Sequence, residues 1–145
     1  MSGSETERER NLALLGEGIE AYNRGDLGFV VEHAADDIDV FVHGELINTG
    51  RYRGREDFER WMGQWQEAWS EITIEVRDID TIGDNHLLVG VGQKAIGAAS
   101  GVPVEMDIFQ VIEVRDGKIS RFHLYPDREK AEAALKDLGA QPPAG

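Results

Sequence analysis

Two side chains of this 145-residue chain have the type and setting for proton chemistry. Asp107 stands in "VPVEMDIFQVIEV" (102–114), between Met106 and Phe109, in a run whose two alternating faces are both apolar through the middle. A carboxyl in a dry, apolar site has its pKa raised by desolvation. It can then donate a hydrogen bond to a developing oxyanion or serve as a general acid. The plainer alternative is an Asp paired with a nearby Arg or Lys, or facing solvent. His43 follows "DIDVFV", and an imidazole titrating near neutrality suits a general base. Its plainer alternative is a strand-end histidine bonded to a loop carbonyl.

Around such a pair, Phe58, Trp61, Trp65, Phe109 and Phe122 are candidate walls for a flat, apolar ligand. The competing reading is that Trp61 and Trp65 simply fill the core. Other chemistries find no support. The chain has no cysteine, which removes thiol nucleophiles, disulfides and thiolate zinc sites. Its histidines (33, 43, 86, 123) lack metal-ligand pairing, and Asp36, Asp37 and Asp39 lack the glycine and glutamate of a calcium loop. "GVGQKAIG" has neither the spacing nor the context of a dinucleotide loop. No metal and no cofactor are expected.

The formal charge of −13 argues against nucleic acid and against an anionic membrane surface. No apolar run approaches the roughly 18–20 residues of a membrane span. "MSGSETERER" contains no apolar signal core, so a cytoplasmic protein is expected.

The elements that must position these residues follow from periodicity. Leu12, Leu15, Ile19 and Tyr22 form one helical stripe within residues 10–23, and Tyr22 reads as packing at its end. Gly25 closes that helix and Asp26 caps a second one carrying Leu27, Val30, Val31 and Ala34. Arg24-Gly25-Asp26 is therefore a helix stop, a turn and a helix start, not an adhesion motif. Ile38, Val40 and Val42 alternate as a strand. A loop with Gly44, Asn48, Gly50 and Gly54, carrying Arg51, Tyr52 and Arg53, leads to a helix over 55–70 with Phe58, Trp61, Met62, Trp65 and Trp69 on one face. "EITIEVRDI", "HLLVGVGQKAIG", residues 102–114 and "KISRFHLY" are strands, the last two joined by an Asp116-Gly117 hairpin turn. "DREKAEAALKDLG" is a closing helix that Gly139 should stop. One domain over 10–136 is expected, with disordered tails at 1–9 and 137–145.

"EAYNRGDL" (20–27), "GELINTGRYRGREDFERWMGQW" (44–65) and "IEVRDGKISRFHLYPDREKA" (112–131) resemble the SnoaL-like group of the nuclear transport factor 2-like, or ketosteroid isomerase-like, superfamily. The resemblance implies an α+β cone. In it a strongly curved mixed or antiparallel sheet wraps about three helices of the N-terminal half, with a short C-terminal helix and an apolar pocket at the open end. It also implies a homodimer through the outer sheet face, which would account for a strand that is apolar on both sides. Asp107 falls where ketosteroid isomerases keep an aspartic acid protonated. Their catalytic base aligns with Val42, beside His43, and their oxyanion tyrosine aligns near Gly18, so both positions are vacant here.

Two functions follow from the resemblance. One is a cofactor-free cyclase, isomerase or lyase acting on a small apolar or polycyclic molecule, with His43 removing a proton and Asp107 stabilising the enolate. The other is a non-catalytic ligand-binding or dimeric scaffold protein whose pocket is plugged by its own side chains.

Overall fold

A computed structural model describes residues 6–43, 50–83 and 85–140. The elements run α1 (Glu7–Asn23), α2 (Leu27–Glu32), β1 (Ala34–Val42), β2 (Gly50–Arg53), α3 (Arg55–Glu67), β3 (Trp69–Ile82), β4 (His86–Gly97), β5 (Pro103–Arg115), β6 (Lys118–Tyr125) and α4 (Arg128–Ala140). The six strands form one sheet in the order β2-β1-β6-β5-β4-β3. Only the β1–β6 pair is parallel, so the sheet is mixed. The three helices of the first half cover one face and α4 the other, which is the α+β arrangement expected.

Local chemistry sets the boundaries. Thr6 caps α1 by accepting from the Glu9 amide at 3.1 Å, so the helix starts at Glu7 and takes in the end of the expected N-terminal tail. Gly25 adopts φ +81°, and Asp26 Oδ1 accepts from the Phe29 amide at 3.2 Å, so the Arg-Gly-Asp triplet is the hinge between α1 and α2. Asp116 and Gly117 both have positive φ, as a two-residue hairpin turn requires.

Three boundaries depart from the sequence reading. Arg51, Tyr52 and Arg53 lie on β2, because this stretch pairs with β1 rather than looping free. The Gly44 and Asn48 part of that loop lies outside the described residues. Trp69 opens β3 opposite Gly97 instead of extending α3. Gly139 does not stop α4, which runs to Ala140. Among the described residues no helix is long and apolar enough to cross a membrane.

α3 is seated by its first residues. The Gly54 amide donates to the Ile38 carbonyl at 2.8 Å, and the Arg55 guanidinium donates to the Ala34 carbonyl at 2.9 Å. This fixes the helix across β1 and drives Phe58, Trp61, Met62 and Trp65 into the core, each no more than 5% exposed. β3 is a sheet edge, a liability for stray strand pairing. The Asn23 side-chain amide blocks it at one residue, donating to the Ile74 carbonyl at 2.9 Å and accepting from the Ile74 amide at 2.8 Å. Asn23→Ala is expected to lower stability by about 1–2 kcal/mol, the net worth of two such hydrogen bonds. Urea unfolding, with an unchanged m-value, is the measurement.

Candidate ligand-binding cavity

Between α1, α3 and the inner face of the sheet lies a cavity of about 90 Å³. Leu15, Gly18 and Tyr22 of α1 line one side, Phe58, Trp61 and Trp65 of α3 another, and Gln93, Ile108, Gln110 and Phe122 the sheet floor. The rings pack on one another, Trp61 lying 5.6 Å from Trp65 and 6.2 Å from Phe122 between centroids. Of the expected walls, Phe58, Trp61, Trp65 and Phe122 are brought together here.

The polar groups at this wall are few and uncharged. Among the described residues no Asp, Glu, His, Lys or Arg lines the cavity. Tyr22, expected to be ordinary packing, contributes a buried hydroxyl with no partner at ordinary hydrogen-bond distance among the described residues, the Trp65 side chain being its polar neighbour of consequence. Burial raises its pKa far above the ordinary phenol range, an effect that the neighbouring Trp65 side chain only partly opposes. It is therefore a neutral donor and acceptor, not a base.

The expected catalytic pair lies on the other face of the sheet, and both placements correct the sequence reading. Asp107 is 56% exposed and its Oδ1 sits 2.8 Å from the Arg77 guanidinium. It is a solvated ion pair, the plainer of its two alternatives. Phe109 shares that face and packs with Leu88, Val111, Ala131 and Leu135 beneath α4, with the Arg128 guanidinium 5.2 Å above its ring. So the apolar middle of the outer face, which suggested a partner subunit, is covered by this chain's own α4. His43 is half-buried beside Phe41 and Tyr125, with ring centroids at 6.4 and 6.2 Å, and does not line the cavity.

The outer face carries instead a row of charges at matched register: His86 opposite Glu113, Glu113 opposite Arg121, Arg121 beside Asp39 and Asp39 opposite Arg53. Burial of Glu113 works to raise its pKa. Hydrogen bonds from Ser120 at 2.7 Å and His86 at 2.9 Å, together with Arg121, outweigh that and hold it below the usual range. One step along, His123 is buried with Nε2 3.1 Å from Asp39 Oδ2. Burial depresses the imidazole pKa, Asp39 opposes the shift, and Arg121 and Arg51 add to it, so the net direction is down. This buried His–Asp pair was missed in the sequence. Its signal is the period-two phase that puts Asp39, His43 and His123 on one face.

A family model for the SnoaL-like domain matches residues 16–122. No curated protein matches significantly. Among solved structures, an NTF2-like protein of unknown function from Burkholderia pseudomallei superposes with a TM-score of 0.73 at 16% identity, over 87% of this chain and 97% of its own. TerC, co-crystallised with polyporic acid, gives 0.71 at 14% over 88% and 98%. A putative polyketide cyclase from Xanthomonas campestris pv. campestris gives 0.69 at 20% over 90% and 98%. At these identities the likeness shows the fold alone.

The His123 environment has a consequence for pH. Its ordinary value is 6.5 and the folded value is lower, so the unfolded chain takes up the proton first. Stability is therefore full above about pH 6.5 and falls as pH drops toward the folded value, by at most about 1.4 kcal/mol per pH unit. The contribution of Glu113 is lost only further down, below its ordinary 4.5. His123→Gln is expected to flatten the loss between pH 7 and 5 and leave the lower acid limb in place, as read by thermal unfolding across pH.

Proposed function

This chain belongs to the SnoaL-like family, and from that premise we propose that its cone is a binding site for a small, uncharged, largely apolar molecule, without proton abstraction by Asp or His. The observation that carries this reading is the absence of any ionisable carboxylate, imidazole or cation from the described cavity wall. A general base must come within roughly 2.6–3.2 Å of the proton it removes. Asp107 and His43 project from the opposite face of the sheet, and Tyr22 is held protonated by burial. The arrangement favours the non-catalytic reading of the sequence over the cyclase or isomerase. That TerC, of the same fold, was crystallised with polyporic acid supports a ligand-holding cone.

Size narrows the ligand. The cavity of about 90 Å³ is smaller than the roughly 150 Å³ apolar cavity that takes up benzene. One ring fits if adaptable walls such as Met62 give slightly, and the size favours it over a polycyclic molecule.

Gly18 tests the site. A Cβ there meets nothing within 4 Å, and the residue lines the cavity from inside α1. Gly18→Leu is expected to fill the space while raising stability by roughly 0.5–1 kcal/mol through helix propensity. Uptake of cyclohexane, followed by Trp61 and Trp65 fluorescence, should fall at least tenfold although the fold is firmer. Equal uptake by both proteins sinks the cavity as the binding site. Native mass spectrometry of the purified protein reads any retained molecule, and the same spectrum tests the homodimer expected through the outer sheet face.

A further inference from the structure

Gln93 and Gln110 are out of place on the inner face of the sheet. They project from β4 and β5 into a wall that is otherwise mostly hydrocarbon, at 2% and 7% exposure. The only hydrogen bond of the Gln93 side chain to a described residue is a weak one, Nε2 donating to Met106 Sδ at 3.8 Å. No hydrogen bond to a described residue satisfies the Gln110 side chain. A primary amide presents two donors and an acceptor, and neither glutamine is among the fully enclosed, unpartnered polar groups of the described residues, which leaves both with capacity for a partner in the cavity.

Their separation is informative. Gln93 pairs across the ladder with Met106 and Gln110 with Val89, leaving the Val91–Ile108 rung between them. Four residues of strand put the two rungs roughly 13 Å apart. Two glutamine side chains reaching along the strands from those rungs would span about one substituted ring. Tyr22 belongs to the Gln93 end: its chain neighbour Asn23 is bonded to Ile74, and Ile74 pairs with Gln93.

Resting on the proposed role of the cone, we infer that its ligand is an uncharged single-ring molecule with polar atoms at opposite ends, the class of 1,4-disubstituted cyclic diones and diols. Gln110 holds one end, and Gln93 with the Tyr22 hydroxyl holds the other. The faces of the ring lie between Ile108 on the sheet and Trp61 and Trp65 on α3. Anions are refused, since no cation lines the described wall and the chain carries −13.

The experiment is calorimetric titration of the full chain with cyclohexane, 1,4-cyclohexanedione and cyclohexanecarboxylate, in the wild type and in Gln93→Met and Gln110→Met. Methionine keeps the length of the side chain and removes the amide. The wild type is expected to bind the dione and to bind the carboxylate at least tenfold more weakly. Each variant should lose about tenfold in dione affinity, the scale of one buried hydrogen bond, with cyclohexane unchanged. Each should unfold no lower than the wild type without ligand, because the only bond of the described residues that is removed is the weak one from Gln93 to Met106. If the variants bind the dione as the wild type does, or lose cyclohexane equally, the two-ended recognition is wrong while the cone remains a binding site. Variants that are less stable with unchanged discrimination make the amides structural, held by buried water, and also overturn it. If neither cyclohexane nor the dione binds the wild type, the cone reading itself falls and the inference with it.

Discussion

The seating of α3 on the inner face of the sheet is the contact on which the rest of the structure depends. Gly54 and Arg55 tie its first turn to β1, and every large apolar side chain after them points at the sheet. Phe58, Trp61, Met62 and Trp65 are at once the largest part of the core and one wall of the cavity. Such rings each bury about 150–250 Å², so truncating one to Ala costs roughly 3–5 kcal/mol. The cavity is therefore not an independent compartment. Its size is set by how closely the core closes, and a larger ligand can be admitted only by moving side chains that hold the fold together.

With helices packed on both sides of the sheet, α4 covers the apolar middle of the outer face, and the remainder of that face shows how the charges are arranged in consequence. Gly90 and Gly92 present no side chain outward, and a Cβ at either would run into Asp78 or Arg77. The two glycines are thus flat ground across which Arg128 reaches Asp78 and Arg77 reaches Asp107. Asp107 is neutralised by an arginine that only a glycine on the neighbouring strand lets pass. The same outer face houses the buried His123–Asp39 pair and the Glu113 cluster. Nearly all the proton-active groups of the β5–β6 region lie on the side of the sheet away from the cavity.

Much of this was legible in the sequence, and what was misread has a definite cause. The α3 stripe, the Arg-Gly-Asp hinge and the Asp116-Gly117 turn each rest on local geometry, and each is present. The phase of β5 is a tertiary matter. Both of its faces are apolar because α4, distant in sequence, covers Phe109 and Val111. Apolarity alone could not say which face was inner, and the resemblance to isomerases pointed to the wrong one. Charge could have decided it. Glu105, Asp107 and Glu113 share one phase, and three carboxylates cost far more to turn into a dry cavity than the one glutamine of the other phase, Gln110. The helix-like continuation to Trp69 failed for a similar reason, since pairing with Gly97 outweighed a spacing that fitted α3.

The two glutamines also bear on what the cone is for. A protein using this fold only as a scaffold gains from filling the interior with Leu or Met, which pack densely and leave no polar atom unpaired. Here a glycine faces empty space from inside a helix, a buried tyrosine hydroxyl has no partner at ordinary hydrogen-bond distance among the described residues, and two amides sit where a sheet interior takes aliphatic side chains. Each feature lowers the stability of the empty protein, and all of them border one small cavity. Independent defects of packing have no reason to converge on one volume. The ligand site that we propose, with donors and acceptors set in an aromatic wall, would account for all of them together.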